Sequence, residues 1–314
     1  MVTIAFHTAR RDPKFSWLFD SIRRQKGISR VTQIIVVDYY AQTYADWSVD
    51  EFEARNREIF LASAANRMST RIDRVAPKPN IWQGEYRITK ENWWAMSNCR
   101  NTSFCLCRNP WIVLLDDRCV LSPDWMSGVR RAMAGNYIAF GSYEKHYGLS
   151  VRNGVVQGSE KVTGVDNRLA LARGRTVKAN GAWAYGCNLA LPLELALQVN
   201  GYPERADGLS FEDVLFGMVL HNNGFPMRYD PAMKVTQDRT PSELDAPFKR
   251  SDKGVSPNDK SHASLTVIGG VKRSENEHNL RAVREAVLKG EPFPLPDPTK
   301  EYRDWYDNSL IKDA

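Results

Sequence analysis

Long apolar runs and paired cysteines are both missing from this sequence of 314 residues. No apolar stretch approaches the roughly 18 residues that cross a bilayer, and the opening MVTIAFHTARRD turns polar too early for a secretory signal peptide. We therefore expect a soluble protein in the cytoplasm. The five cysteines lack a paired C-x-x-C zinc pattern, so we expect reduced thiols that lie mostly in the core.

What the sequence does contain is enough apolar material for a large core and a modest excess of positive charge. Hydrophobic residues make up 42% of the chain, which can bury one large core or two modest ones. Lys and Arg number 43 against 37 Asp and Glu, for a net charge of +6. This excess favours a polyanionic partner or a phosphate-bearing substrate, although many proteins with neutral ligands are equally basic.

Strand and helix patterns alternate along the first half of the chain. TIAFHT and TQIIVVDYY are typical of buried strands, and between them Asp12 and Pro13 predict the start of an amphipathic helix. Further helices are predicted over 49–68, 98–107 and after Ser122, with irregular chain over 71–97 and a hairpin turning at Asn153-Gly154. Such alternation predicts right-handed crossovers and a doubly wound α/β fold.

Carboxylates follow two of the predicted strands. Asp38 ends the second strand, and the run IVLL leads directly into Asp116, Asp117 and Arg118. In a doubly wound sheet, ligands bind in the crevice at the carboxyl ends of the strands. The sequence therefore predicts a binding site at this edge, and the alternative is an ordinary solvated turn at a strand end.

Several segments together resemble family 2 glycosyltransferases of the GT-A fold, over roughly residues 1 to 230. The segments are VTIAFHT with IIVVDYY, NCRNTSFCLC, IVLLDDR, GCNLALPLELALQVNGYPE and GLSFEDVLFGMVLHNNGF. The resemblance implies a GT-A-type doubly wound mixed sheet, in which a Rossmann-like nucleotide-binding half adjoins an acceptor half. It implies a domain over 1–240, and we expect 241–314 to form an appendage of loop and helix that packs on it.

The resemblance also implies an activity, the transfer of a sugar from a nucleotide-sugar such as a UDP-sugar to an acceptor hydroxyl. Asp38 would bind the base, and Gly186 would lie under the donor sugar. Alternatively, Asp38 is a turn residue, Arg100 a surface charge, His7 a core histidine and 186–188 an ordinary turn. The implied donor-binding residues are Phe6, His7, Thr8, Asp38, Arg100, Asn101, Asp116, Asp117, Arg118, Gly186 and Asn188.

A divalent cation, Mn²⁺ or Mg²⁺, is the implied cofactor, because a hard cation on oxygen ligands stabilises a departing diphosphate. Its ligands would be Asp116, Asp117 and His262, since Gln237 stands where family members often have a histidine. Arg118 replaces the second aspartate of the Asp-x-Asp element. Either Asp117 takes over metal binding, or Arg118 itself contacts the diphosphate. For His262, a solvated loop position is the alternative.

Glu212 and Asp213 form the second carboxylate pair. By resemblance, Asp213 is the general base that deprotonates the acceptor in an inverting single displacement. The pair also completes a capping box with Ser210 before the apolar run VLFGMVL, and the two roles are compatible.

The acceptor is predicted more weakly than the donor. Basic clusters at 10–30 and 249–273, with Trp82, Trp93 and Trp94, favour a hydroxymethylated pyrimidine in DNA, since base-modifying enzymes need phosphate contacts and stacking aromatics. A cell-surface glycan or a small molecule is the alternative, and the tryptophans would then form a small core. A second alternative is a catalytically degenerate module that binds nucleotide-sugars without turnover.

Overall fold

A computed structural model describes residues 1–41, 54, 58–59, 70–208, 211–241, 270–300 and 312. Most of the helix predicted over 49–68, together with Ser210 and His262, lies outside the described residues. The same applies to the basic cluster from 249 to 269.

Strands account for much of the described chain, and most of them join one mixed sheet. Its order is β10-β12-β6-β11-β4-β1-β2-β3, while β5 pairs with β12 and β9 pairs with β6. The strands are β1 (Val2–Thr8), β2 (Val31–Asp38), β3 (Arg71–Val75), β4 (Trp111–Asp116), β5 (Cys119–Leu121), β6 (Ile138–Tyr147), β7 (Ser150–Arg152), β8 (Val155–Gly158), β9 (Lys161–Val165), β10 (Val177–Lys178), β11 (Asn188–Pro192) and β12 (Met227–Asp238).

The direction of the strands divides the sheet into two halves. Strands β3, β2, β1 and β4 run parallel, and the alternating sequence pattern predicts this for β1, β2 and β4. Beyond them β11 runs antiparallel to both β4 and β6, and β12 runs parallel to β6. The carboxyl ends of β1, β2 and β4 therefore meet at one edge, and polar side chains that follow these strands share a crevice.

Helices cover both faces of the sheet. The helices of the described residues are α1 (Phe15–Arg23), α2 (Met96–Leu106), α3 (Trp125–Gly135), α4 (Arg168–Ala172), α5 (Leu193–Gln198), α6 (Glu212–Asn222) and α7 (Leu280–Leu288). One apolar cluster joins the sheet to α1 and α3, and another joins it to α2, α6 and α7. The result is a three-layer α/β arrangement with two cores, one on each face.

Several local predictions need correction. Helix α1 begins at Phe15, later than Asp12 and Pro13 predict, because Lys14 adopts a left-handed conformation with φ of 57°. Part of the segment 71–97 is strand β3, which the sequence analysis missed because the strand is short and only half-buried at the sheet edge. By contrast, the hairpin at Asn153-Gly154 is confirmed, with φ of 50° and 70° at its turn.

The cysteines are as predicted, since all five are free and buried. The described part of the C-terminal region, 270–300, packs on the rest of the protein: Leu280 and Val283 of α7 enter the core beside α2. The division of the chain at residue 240 stays a prediction. None of the helices in the described ranges is long and apolar enough to cross a membrane.

Asn188 joins the two halves of the sheet from its buried position at the start of β11. Its Oδ1 accepts a hydrogen bond from the indole of Trp125 at 3.0 Å. Its Nδ2 donates to the carbonyl of Ser142 at 3.1 Å and to that of Met233. The side chain thus connects β11, β6, β12 and α3, and we assign it to the frame of the molecule instead of to the donor-binding surface.

We expect Asn188→Ala to lower the free energy of unfolding by about 2–4 kcal/mol, since it leaves an indole N–H and two carbonyls unpaired in the core. Denaturant unfolding measures the change. Asn167→Ala, the same substitution at an exposed position before α4, is the control and should change stability by less than about 0.5 kcal/mol. Equal effects of the two substitutions would contradict the role given to Asn188.

Candidate functional site

The two adjacent aspartates after β4 have different environments. Asp117 is buried, where its Oδ2 accepts from the hydroxyl of Thr8 at 2.7 Å and its Oδ1 from Nε of Arg10 at 3.3 Å. Burial raises the pKa of Asp117, and the guanidinium of Arg10 opposes that rise. Both oxygens are therefore occupied in tying the end of β1 to the end of β4, which favours a structural role over metal binding.

Asp116 is less buried, with 20% of its side chain exposed. Its Oδ2 accepts from Nε2 of Gln237 at 3.2 Å. Its Oδ1 and the Oε1 of Gln237 are both buried atoms without a hydrogen-bond partner among the described residues. Two unsatisfied buried oxygens on a pair of hydrogen-bonded side chains indicate a place where a ligand completes the polar contacts.

Arg100, on helix α2, lies at the centre of the site. The guanidinium is 97% buried and donates to Oε1 of Glu212 at 2.9 Å, while its Nη2 lies 3.9 Å from Oδ1 of Asp116. Its Cζ lies 4.9 Å from the ring centroid of Tyr202. Burial alone would lower the pKa of Arg100, but Tyr202, Glu212 and Asp116 raise it, so this cation stays charged. The alternative of a surface charge is wrong.

Gly186 makes room for this guanidinium. A Cβ atom added at Gly186 would come within 1.8 Å of Nη2 of Arg100, so only glycine permits the approach. The backbone N–H of Gly186 donates to Oδ2 of Asp213 at 3.0 Å. Gly186 therefore contacts both the cation and the predicted base, and it lies inside the cluster that the sequence predicted in separate pieces.

Glu212 and Asp213 begin helix α6 beside Arg100. Phe211 precedes them with φ of 64°, and Ser210 lies outside the described residues, so the capping box is not described. Oδ1 of Asp213 accepts from the N–H of Val214 at 2.8 Å. Burial raises the pKa of Glu212, against the lowering effect of Arg100. Glu212 pairs with the cation, whereas Asp213 is held by backbone N–H groups.

Arg118, the residue that departs from the family pattern, donates its side-chain hydrogen bonds to backbone carbonyls and lies 3.9 Å from Asp238. It adopts a left-handed conformation with φ of 48°, and its Nε donates to the carbonyl of Asp12 at 2.8 Å. Its Nη1 donates to the carbonyl of Thr240 at 3.0 Å. This side chain connects the loop before α1 to the end of β12, so direct contact with a diphosphate is not supported.

Asp38 is fully buried at the end of β2. Its Oδ2 accepts from Nε of Arg74 at 2.9 Å, and its Oδ1 accepts from the N–H of Tyr40 at 3.1 Å. The hydrogen bond from Tyr40 closes a turn, as expected from the alternative in which Asp38 is a turn residue. Because Arg74 of β3 also donates to the carbonyl of Tyr40 at 2.8 Å, the pair rigidifies the edge of the nucleotide-binding half.

Three other predicted donor residues support the site from the interior. Phe6 packs its ring on Phe15 and Phe19 in the core. His7 bonds Ser103 at 2.8 Å, and burial followed by the charge of Arg100 lowers its pKa to about 3, so it is a neutral core histidine. Asn101 exchanges hydrogen bonds with the backbone of Tyr202 and donates to Glu204. We assign these side chains to the frame because all three are buried and make the interior contacts described above, although Nδ1 of His7 has no hydrogen-bond partner among the described residues.

A divalent cation would find only part of a site in this chain. Within the described ranges, no group of three His, Cys, Asp or Glu residues is arranged to hold a metal ion. Asp116 Oδ1 and Gln237 Oε1 are unpartnered oxygens, and oxygen is the ligand that Mg²⁺ and Mn²⁺ prefer. The residues thus fit a cation held largely by the oxygens of a bound ligand. His262 lies outside the described residues.

The tryptophans predicted to stack on bases are core residues. Trp82 and Trp93 form a small apolar cluster with Ile81, Ile88 and Ala95, and the indole of Trp82 donates to the carbonyl of Glu204 at 2.8 Å. Trp94 packs partly buried against the main core. The alternative of a small core is confirmed for Trp82 and Trp93, and the stacking argument for DNA is wrong for this pair.

Four residues at the site were not predicted from the sequence: Arg10, Arg74, Tyr202 and Gln237, whose amide donates to Asp116. Arg10 had a readable signal, since it lies two residues after the strand that ends in Thr8. Arg74 and Tyr202 gave none, because each reaches the site through a distant part of the chain.

No protein-family model matches this sequence, and no curated protein sequence matches it. Solved structures do. TarS 1-349 of S. aureus in complex with UDP-GlcNAc has a TM-score of 0.54 at 12% identity, over 91% of this chain and 70% of that chain. GalNAc-T7 with UDP, GalNAc and Mn²⁺ has a TM-score of 0.54 at 9% identity, over 94% and 58%.

Coverage of these structures is incomplete, since the chain spans 58% of GalNAc-T7 and 42% of the longer TarS structure. At such low identity the comparison establishes architecture alone, and membership of family 2 stays a prediction. The matched structures are glycosyltransferases of the GT-A type. This chain therefore has the GT-A fold, with the mixed sheet that its sequence predicts.

Proposed function

We propose that this protein is a glycosyltransferase that transfers a sugar from a UDP-sugar to an acceptor hydroxyl by inverting single displacement. The observation that carries the proposal is the Arg100 cluster, in which one buried cation lies between Asp116 on the donor side and Glu212-Asp213 on the acceptor side. The structures that share the fold contain UDP-GlcNAc or UDP with GalNAc, which supports a UDP-sugar as the donor.

On the donor side, the chain must stabilise negative charge as UDP departs. Arg100 supplies a permanent positive charge next to Asp116. Asp116 and Gln237 would hold a divalent cation through their unpartnered oxygens. When bound, such a cation supplies Lewis-acid stabilisation of the diphosphate.

On the acceptor side, Asp213 is the general base in this proposal. The N–H groups of Gly186 and Val214 fix its carboxylate, which limits the motion of the proton acceptor. Glu212 is bound to Arg100 and is less available to accept a proton. A base on one side and charge stabilisation on the other are what a single displacement with inversion requires.

A degenerate binding module is the second candidate, and its main ground was Arg118. The guanidinium of Arg118 contacts the carbonyls of Asp12 and Thr240, away from Asp116. The substitution therefore leaves the charged cluster intact, which favours an enzyme over an inactive module.

The first test follows the release of UDP and the configuration of the product. We expect the protein to release UDP from a UDP-sugar such as UDP-GlcNAc, with hydrolysis counted as turnover when no acceptor is present. Asp213→Asn should lower this rate by roughly a hundredfold or more with nearly unchanged donor affinity, because the amide cannot accept the proton.

Asp124→Asn, the same change at an exposed aspartate before α3, is the matched control and should leave the rate unchanged. Normal turnover by Asp213→Asn with a lower melting temperature would reduce Asp213 to a structural role. Saturable UDP-sugar binding without any release would favour the binding module, and retention of configuration would contradict the inverting mechanism.

The two aspartates after β4 should separate binding from stability. We expect Asp116→Asn to weaken Mn²⁺-supported UDP binding by about tenfold or more, since it removes a charged oxygen from the crevice. Because Asp116 also lies 3.9 Å from the buried Arg100, the melting temperature should fall, but by less than for Asp117→Asn. Asp117→Asn should instead lower the melting temperature by several degrees, because it disrupts a buried carboxylate bonded to Thr8 and Arg10. Calorimetric titration with UDP, with and without Mn²⁺, and thermal melts measure both. Interchanged effects would return metal binding to Asp117.

DNA as the acceptor now rests on the net charge, on the basic cluster at 10–30, and on the cluster at 249–273, which lies mostly outside the described residues. Because Trp82 and Trp93 are buried, we expect oligonucleotides with 5-hydroxymethylcytosine to leave the rate of UDP release unchanged. Unmodified oligonucleotides of the same sequence are the control. Stimulation by the modified strand that falls steeply with salt, roughly −0.9 in log-log slope per phosphate contact, would restore the DNA acceptor.

A further inference from the structure

A row of aromatic rings leads away from Asp213 along the acceptor half of the sheet. Gly186 donates to Asp213, and its chain neighbour Tyr185 places its ring 5.7 Å from that of Tyr143, at an interplanar angle of 77°. Both tyrosines are half-buried, so each keeps an accessible part. The amine of Lys145 lies 4.7 Å from the ring centroid of Tyr143. Gly186, Tyr185 and Tyr143 therefore link the proposed base to Lys145 through successive contacts.

Lys145 has no carboxylate within ion-pair distance in the part of the chain that the structure describes. Its neighbour in sequence, Glu144, pairs with Lys234 at 2.7 Å and faces His146. A half-buried ammonium that rests on an aromatic ring and lacks a counter-ion is suited to bind an anion.

The register of the sheet places Lys145 near the donor-side carboxylate as well. Lys145 lies opposite Gln237 of β12, which donates to Asp116, and paired residues on neighbouring strands project from the same face. On its other side, Lys145 lies opposite Gly164 of β9, where an added Cβ would be 3.7 Å from the lysine stem. Gly164 thus puts no side chain against the lysine stem.

The same charged residues influence the pKa of the buried Cys187 thiol. Burial raises its pKa to about 12, Asp116 and Asp213 add to the rise, and Lys145 and Arg168 oppose it. The charge of Lys145 therefore acts on the same buried thiol as the charges of Asp116 and Asp213.

A buried ion pair supports the aromatic row from below. The guanidinium of Arg168 binds Asp166 through two hydrogen bonds of 2.8 and 2.7 Å, and its Cζ lies 4.4 Å from the ring centroid of Tyr185. Tyr229 donates to the same Asp166 at 3.0 Å. Because Asp166 already neutralises Arg168, we infer that this guanidinium holds the ring of Tyr185 in place and does not bind a ligand. Lys145, by contrast, has no carboxylate partner among the described residues.

We propose that Lys145, on the platform formed by Tyr143 and Tyr185, binds a phosphate group at the transfer centre. The inference rests on the proposed function, and it adds a recognition element that the Arg100 cluster does not include. Two sources have the required chemistry: the diphosphate of the donor, which would approach from the side of Gln237, and a phosphate on the acceptor, which would lie beside the hydroxyl near Asp213. Binding at Lys145 is noncovalent in both cases.

Calorimetric titrations of the full chain distinguish the sources. UDP and uridine probe the donor side, and glycerol 3-phosphate and glycerol, added in the presence of excess UDP, probe the acceptor side. The variants are Lys145→Gln, Lys145→Arg and the control Lys161→Gln, which changes an exposed lysine of β9. We expect Lys145→Gln to weaken one phosphate ligand by on the order of tenfold, with Lys145→Arg close to wild type because the charge is kept.

Weaker UDP binding with unchanged uridine binding assigns the site to the donor diphosphate. Weaker glycerol 3-phosphate binding with unchanged UDP binding assigns it to the acceptor. If Lys145→Gln binds both phosphate ligands as the wild type does, or loses no more affinity than Lys161→Gln, the proposal is overturned. These titrations need no turnover, so a protein that fails to release UDP but binds phosphate through Lys145 would contradict the proposed function alone.

Discussion

The burial of the Arg100 guanidinium is the interaction on which the candidate site depends. A buried cation is costly unless it is paired and hydrogen-bonded. Here Glu212 accepts a hydrogen bond from it, Asp116 lies 3.9 Å away and the ring of Tyr202 faces its Cζ. These partners come from α6, from the end of β4 and from the turn after α5. Satisfying one charge therefore requires that three separate segments reach the same place.

The same requirement explains the glycine at position 186. The guanidinium approaches the backbone so closely that a Cβ at Gly186 would lie 1.8 Å from Nη2. With the side chain removed, the backbone N–H of Gly186 is also free to hold Asp213. Gly186 thus allows Arg100 to pack closely and also helps to position Asp213, the proposed base.

Two neighbouring carboxylates at the end of β4 serve different purposes because of where they point. Asp117 turns inward to Thr8 and Arg10 and stabilises the strand ends. Oδ1 of Asp116 has only the charge of Arg100 at 3.9 Å and no hydrogen-bond partner in the described chain, so Asp116 remains the carboxylate for a ligand. Arg118 then leaves the site to bind the carbonyls of Asp12 and Thr240. Although Arg118 replaces the second aspartate of the Asp-x-Asp element, the carboxylate of Asp116 is still available to a ligand.

The sequence by itself determined the parallel strands β1, β2 and β4, because continuous apolar runs such as IVLL are stable only when both faces are covered. It also determined that Asp38 and Asp116 lie at one edge, since parallel strands place their carboxyl ends together. The roles of these residues were decided by tertiary structure. Whether Asp38 meets a base or Arg74, or which aspartate keeps a free oxygen, depends on side chains that are distant in sequence. Local periodicity carries no information about such contacts, and for the same reason it could not reveal that Arg100 and Gly186, 86 positions apart, share one site.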